Sequence, residues 1–514
     1  MLRKYITIFI ICINFLVAQT LNFATSKNVG PLNPHLYSPN EMFAQNMVYE
    51  SLVRYAEDGS IQPWLAKSWD ISKDGKTYTF YLRQDIVFSN GEKFDANAVK
   101  ANFDAIHQNK DRHKWLELSN ILLECDKIDD YTIQLKLKNA YSLTLNELSL
   151  IRPYRFIAPS AMINGSTKDG IKAPIGTGPW KLVSSKLGVN DVFERNDRYY
   201  GKKPSYEKII AKVIPDPNTK FIALKTGDID LIYGKGQISL DSFALMQKDK
   251  KFNTMISKPL ITTAIAINSN KFPTNDINIR KAINMAVDKD AIMKQVFFNI
   301  QQKADFLFSP TNKLTHIDAK PYEFNTKKAN ELLEKSGWKL KDDGIRYKDG
   351  KALKLELSYI GSDASQKSIG EVLQSELKNI GILLDLKADE KTIFFKKQRT
   401  GEFSLIFNAT WGAPYDPQSF LASMRAPSHA DYQAQLGLKN KQQIDDQISL
   451  MLKTIDEKES EKLVKEILTT LHEQAVYIPI TYEVNTVVSN KKIDGIEISI
   501  LKDNIQFDKI FFAK

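Results

Sequence analysis

Two arginine–aromatic clusters and six scattered histidines carry most of the chemistry available to this sequence. Arg112-His-Lys-Trp115 sets a guanidinium and an indole three positions apart in a polar stretch, and Arg152-Pro-Tyr-Arg155 sets two guanidiniums across a proline. A guanidinium holds a carboxylate with two parallel hydrogen bonds, so either cluster suits a small carboxylate ligand. A pair of surface salt bridges is the plainer reading of the same spacing. The histidines are His35, His107, His113, His316, His429 and His472, and no two fall at the spacing that builds a metal cage on one helix. A metal would need ligands from distant segments, or from a small molecule that arrives with it. Taken singly, each histidine reads first as structural, and His107 and His472 fall within helical patterns.

Enzyme signatures are absent. The chain has no G-x-S-x-G, no phosphate loop, no H-E-x-x-H and no glycine-rich dinucleotide turn. Gly176-Thr-Gly-Pro179 resembles a phosphate cradle only superficially, since its proline removes a backbone donor; it reads as a tight crossing between domains. No nucleophile–base pair is visible, and the chain is expected not to be an enzyme.

Arg3 and Lys4 precede an apolar run from Tyr5 to Val17, and Ala18 offers a small residue for cleavage. The run is shorter than the roughly 20 residues of a membrane span, so it reads as a secretory signal peptide, residues 1–18. Cys12 falls inside it, which leaves Cys125 as the one cysteine of the mature chain: no internal disulfide and no thiolate metal site. The formal charge is +10, spread without a basic block or stripe, and a nucleic-acid footprint is not expected.

The elements that must position these residues follow from periodicity. Thr77–Phe88 alternates as a half-buried strand, Asp95 caps a helix to about His107, and Asp129–Leu137 alternates again. Asn325–Ser336 is a helix stopped by Gly337. Leu353–Tyr359, a helix through Ile369–Ile380 and Ile382–Leu386 form a βαβ unit with parallel strands. A helical stretch to Arg399 then leads into a strand at Phe403–Ala409. Ligands of open α/β sheets bind outside the carboxyl ends of strands, which makes Trp411-Gly-Ala-Pro-Tyr415 a candidate site on physical grounds alone. Helices around Ile444–Ile455 and Leu463–Leu471 present core-facing stripes. Val476–Lys514 is strand-like, as if the chain returned to an earlier sheet.

Several blocks, in order, resemble the peptide/nickel family of ABC-importer solute-binding proteins. They are Pro63-Trp-Leu-Ala-Lys-Ser-Trp69, Phe88-Ser-Asn-Gly-Glu-Lys-Phe94, Gly176-Thr-Gly-Pro-Trp180, Arg195-Asn-Asp-Arg-Tyr-Tyr200, Thr226-Gly-Asp-Ile-Asp230 and Arg280-Lys-Ala-Ile-Asn-Met-Ala-Val-Asp288. Asn28–Tyr37, Arg112–Leu118, Trp411–Pro417 and Pro427–Asp431 resemble its nickel-binding members more closely.

The resemblance implies an α/β, two-lobed periplasmic-binding-protein fold (type II, peptide/nickel-binding class) with an extra subdomain in the first lobe. Lobe I would hold 19–259 and 483–514, with the subdomain at about 50–164, and lobe II would hold 260–482. It implies capture of Ni(II), as a complex with a small carboxylate chelator such as L-histidine, in the periplasm, and delivery to an ABC-transporter membrane permease by a monomer. Nickel would be cargo, with no cofactor. Arg112 and Arg152 would hold the chelator's carboxylates, and Trp115, Trp411 and Tyr415 would wall the pocket with Tyr37 and Met42 nearby. His429 would ligate the metal, imidazole being a suitable donor for nickel. Phe395 stands where the nickel-binding members have a pocket tyrosine. The alternatives are a peptide, haem or another metal chelate in the same cleft. Peptide-binding members carry an aspartate shortly after the strand-end tryptophan; here Pro414 takes that position, with Asp416 two places on.

Overall fold

A computed structural model describes residues 19–36, 42–310 and 312–513. The signal-like segment 1–18 and Tyr37 lie outside the described residues.

The period-two pattern near residue 80 folds as a strand, Thr77–Leu82, with Tyr78, Phe80 and Leu82 buried and the residues between them half-exposed. It stops short of Phe88, at the point where Arg83 folds back to pair with Asp85 at 2.7 Å. With Ala66–Ile71, Thr132–Leu137 and Leu122–Asp129 it forms a four-stranded antiparallel sheet. The helix Ala96–Gln108 covers this sheet with Val99, Phe103 and Ile106, and Asp95 caps it by accepting the Ala98 N–H at 2.9 Å. Cys125 is buried here, and burial pushes its thiol up to about 12, which keeps it protonated and inert.

Two larger sheets frame the rest. A seven-stranded sheet runs in the order Trp180–Lys186, Asn190–Arg195, Lys208–Val213, Thr20–Thr25, Leu231–Tyr233, Thr486–Asn490, Phe252–Ile256. A six-stranded sheet runs Gln302–Lys303, Tyr477–Glu483, Ile261–Ile267, Leu405–Ala409, Lys354–Ile360, Leu383–Asp389. The βαβ unit is present in the latter: Lys354–Ile360 and Leu383–Asp389 pair in parallel, Leu355 opposite Leu384 and Leu357 opposite Leu386. The helix between them, Ala364–Lys378, buries Ile369, Leu373 and Leu377 on the sheet. Each such side chain contributes about 1.5–3 kcal/mol by leaving water. Asn325 caps the helix Thr326–Lys335 through the Lys328 N–H at 2.9 Å.

The tail divides its strands between the two sheets. Tyr477–Glu483 belongs to the six-stranded sheet and Thr486–Asn490 to the seven-stranded one, while 495–506 is irregular apart from an Ile498–Ile505 bridge. The outward crossing, between Phe252–Ile256 and Ile261–Ile267, lies beside this return. The Leu260 N–H donates to the Glu483 carbonyl at 2.9 Å and the Ser257 N–H to the Asn485 carbonyl at 3.0 Å. Lys235, from the seven-stranded side, pairs with Glu483 at 2.5 Å, and the Thr263 hydroxyl donates to the same carboxylate. Backbone and charge therefore converge on one narrow joint between the sheets.

At Gly176 and Gly178 the chain presses against the backbone of residues 47 and 48. A Cβ on Gly176 would stand 2.0 Å from the Val48 carbonyl oxygen, and one on Gly178 2.5 Å from that of Met47.

Candidate functional site

Trp411 lies just beyond the strand Leu405–Ala409, whose register is fixed by antiparallel pairing with Ile261–Ile267 and parallel pairing with Lys354–Ile360. The loop that follows is held by one carboxylate. Asp416 accepts the Trp411 N–H at 3.1 Å and the Gly412 N–H at 2.7 Å, and burial raises its pKa to about 6 against these donors. Gly412 adopts φ +82°, and a Cβ there would meet the Leu260 carbonyl oxygen at 2.9 Å. The loop is thus shaped before any ligand enters.

From this loop a row of rings extends. Trp411 and His429 stand 5.8 Å apart between centroids, Trp411 and Tyr415 6.0 Å, and Tyr415 and Trp115 6.1 Å. Trp115 comes from the region of the four-stranded sheet and is 47% exposed, so its indole meets Tyr415 while keeping an open face. Burial pushes the Tyr415 hydroxyl up to about 12, and the Arg152 charge opposes that shift. Burial likewise raises the Asp503 carboxyl, against Lys502 and Arg152. The field of Arg152 therefore reaches both Tyr415 and Asp503.

The segment carrying Arg112 and Trp115 is pinned from beneath. Glu147 is buried and accepts the Leu118 N–H at 2.9 Å and the Tyr141 hydroxyl at 2.6 Å; burial raises its pKa to about 7. The Ser119 and Tyr154 hydroxyls share a hydrogen bond of 2.8 Å, which ties the Arg112 segment to the Arg152 segment. Arg112 itself is exposed. Of the second cluster, Arg155 is neither a surface ion pair nor a cleft residue. It is 2% exposed and donates to the carbonyls of Leu150 and Tyr49 and to Asn46 at 2.9–3.0 Å. Lys114 forms the surface ion pair of the first cluster, with Asp111 at 2.8 Å.

His429 and Trp411 line a cavity of about 600 Å³, together with Phe395, Arg399, Asn408 and Glu483. Among the described residues, neither His429 ring nitrogen has a protein hydrogen-bond partner. Burial lowers its pKa from the ordinary value, partly offset by Asp431, so the imidazole is neutral at pH 7 and keeps a lone pair for a ligand. Asp431 is itself occupied, accepting from Asn408 at 2.9 Å and the Tyr477 hydroxyl at 2.8 Å. Met42 lines a smaller cavity of about 180 Å³ that also touches Asp503 and shares Lys235, Ile261 and Glu483 with the larger one. Among the described residues, no three His, Cys, Asp or Glu side chains converge as a metal cage.

Sequence reasoning missed Lys235, Glu483 and Glu147 altogether, because nothing in their local sequence marks them. Asp416 was noticed only as a possible partner for a peptide amine, whereas its carboxylate is spent on the backbone of its own loop.

The fold and cleft define an extracellular solute-binding protein. The chain belongs to the bacterial extracellular solute-binding proteins, family 5, whose middle region matches residues 60–432. It is 48% identical over 517 residues to the nickel-binding periplasmic protein of Escherichia coli (strain K12), a match covering 99% of this chain and 98% of that one. Among solved structures it is similar to NikA from Brucella suis in complex with Fe(III)-EDTA, with TM-score 0.94 and 52% identity over 96% of this chain and all of that one. It is also similar to NikZ from Campylobacter jejuni in complex with Ni(L-His), with TM-score 0.77 and 26% identity over 96% of this chain and 99% of that one. The two-lobed periplasmic-binding-protein class expected from the sequence is that of these neighbours. No helix among the described residues is long and apolar enough to cross a membrane.

Proposed function

We propose that this chain is the periplasmic solute-binding protein of an ABC importer and that it captures Ni(II) as a complex with a small carboxylate chelator, of which L-histidine is the simplest candidate. The observation that carries this is the cavity in which a neutral imidazole with no hydrogen-bond partner among the described residues, His429, stands beside the Trp411 ring. Near-full-length identity to a nickel-binding periplasmic protein supports the metal, and the Ni(L-His) cargo of a structural neighbour supports the chelator.

In this reading His429 is the protein's own metal ligand. With no cage of three protein ligands among the described residues, the remaining donors come with the chelator. Arg112 and Arg152 hold the chelator's carboxylates, and Trp115, Trp411 and Tyr415 wall the space with Met42 nearby; Tyr37, the remaining candidate, lies outside the described residues. The lobes are 19–259 with 483–514, and 260–482, and they rock about the joint at Glu483. The chain is exported by a signal peptide cut near Ala18, acts as a monomer, serves no cofactor chemistry, and hands its cargo to the membrane permease. A peptide is disfavoured because Asp416 is engaged by backbone N–H groups, leaving a buried peptide ammonium without a ready counter-charge.

The test is elemental analysis and mass spectrometry of whatever co-purifies from the export compartment. Nickel in about equal amount to protein, with a carboxylate chelator, is the expected result. A co-purifying peptide without metal would overturn the reading.

A further inference from the structure

Arg399 places a guanidinium on the wall of the His429 cavity and belongs to neither arginine cluster. The helix Lys391–Thr400 carries two basic residues in its last turn, Lys397 and Arg399. Cations there are favoured by the helix carbonyls, but the two side chains differ in what they do next. Lys397 turns to the sheet, pairing with Asp389 at 2.9 Å and donating to the Ser358 hydroxyl at 3.1 Å. Arg399 instead lines the cavity of His429 and is exposed, and its guanidinium meets no protein acceptor among the described residues.

The other charged side chains of that cavity are already engaged. Asp363 caps the helix Ala364–Lys378 through the Gln366 N–H, Asp431 accepts from Asn408 and Tyr477, and Glu483 is paired with Lys235. Lys235, on the same wall, is tied to Glu483, so Arg399 is the cation of this wall that forms no ion pair among the described residues.

Its placement is built. The Gln433 side-chain amide donates at once to the Arg399 carbonyl at 3.0 Å and to the Pro427 carbonyl at 2.7 Å, so it clamps the end of Arg399's helix to the loop that carries His429. Gly401, in a left-handed conformation at φ +70°, lets Gln433 sit there; a Cβ would come within 2.7 Å of its amide oxygen. One helical turn earlier on the same face, Phe395 lines the same cavity and offers no hydrogen bond of its own.

We propose that Arg399 is a specificity-determining residue that holds a carboxylate of the incoming metal chelate from the His429 side of the cleft, so that the site favours chelates carrying several carboxylates and net negative charge. This rests on the nickel-chelate reading above. It adds a third guanidinium to the recognition of cargo.

The experiment is calorimetric titration of the mature wild-type protein, Arg399→Gln and Arg399→Lys with two probes, Ni–EDTA, which is anionic, and Ni²⁺ with L-histidine, which forms a neutral complex. Arg399→Gln is expected to lose roughly tenfold or more in affinity for Ni–EDTA, as removal of a charge-assisted hydrogen bond does, and at least about threefold less than that for the histidine complex. Arg399→Lys should recover part of the loss, since it keeps the charge without the fork. Equal losses on both probes, or none on either, would overturn the proposal. Wild-type protein that takes neither probe would instead remove the nickel-chelate reading, and this inference with it. Arg399 is exposed, and thermal melts of the Lys variant establish that the fold is kept.

Discussion

Trp115 and Tyr415 meet with ring centroids 6.1 Å apart, although one stands beside the four-stranded sheet and the other follows a strand of the six-stranded sheet. Tyr415 in turn meets Trp411, and Trp411 meets His429. The rings form a wall assembled from two parts of the chain, so anything entering between them is read by both.

Tryptophan emission should report that entry. Ni²⁺ with L-histidine is expected to quench the mature protein, and Ni²⁺ alone to quench it less. Trp411→Phe should remove much of the change, because Trp411 lines the cavity directly. Silence toward both additions, with tight dipeptide binding in the calorimeter, would eliminate nickel as cargo.

His429→Ala should lower retained nickel while leaving the melting temperature nearly unchanged, since the imidazole has no protein hydrogen bond to lose among the described residues. The pH dependence has a defined sign. Protonation removes the lone pair, and the imidazole pKa lies below its ordinary value, so wild-type retention holds from pH 7 into mild acid and falls as pH drops through the lowered pKa. The variant should lack that limb. Nickel content equal to wild type, by elemental analysis, would take His429 out of the site.

Asp416→Ala leaves the Trp411 and Gly412 N–H groups without their acceptor. Unsatisfied buried donors of this kind cost about 1–3 kcal/mol each. Chemical denaturation should show a loss of that order, and chelate affinity should fall with it, because the Trp411 loop loses its clamp. Asp416→Asn, which keeps an acceptor oxygen, should recover part of both. Wild-type stability in Asp416→Ala would mean the carboxylate is not the clamp.

Glu147 provides a pH signature in folding. Its folded pKa is raised to about 7 from 4.5, so folding favours its protonated form. Below the unfolded value both states are protonated and the group is neutral toward stability. As pH rises through the window toward 7, the unfolded state ionises first and the group increasingly opposes folding. Glu147→Gln should therefore gain on wild type between about pH 4.5 and 7, by up to about 3 kcal/mol. Denaturant midpoints measured across that window check it, and a pH-independent difference would contradict it.

The sequence by itself determined the elements and the class. Alternation at 77–82 and helical spacing at 364–378 are properties of consecutive residues, and burial of one face follows from them whatever the rest of the chain does. The position of Trp411 beyond a strand end was legible for the same reason. The ordered motif blocks anticipated the family to which residues 60–432 belong. What only the tertiary structure decided is which groups remain available for chemistry. Arg155 looks in sequence like a grip for a ligand carboxylate, yet it is consumed by carbonyls contributed from Tyr49 and Leu150. Asp416 looks like a charge for a ligand, yet two N–H groups of its own loop occupy it. Lys397 and Arg399 share one helical turn, and only the packing of a sheet and of Gln433 sends one to Asp389 and leaves the other facing the His429 cavity. A side chain's chemistry depends on the donors and acceptors within about 3 Å of it, and folding brings those from distant positions that local sequence cannot name.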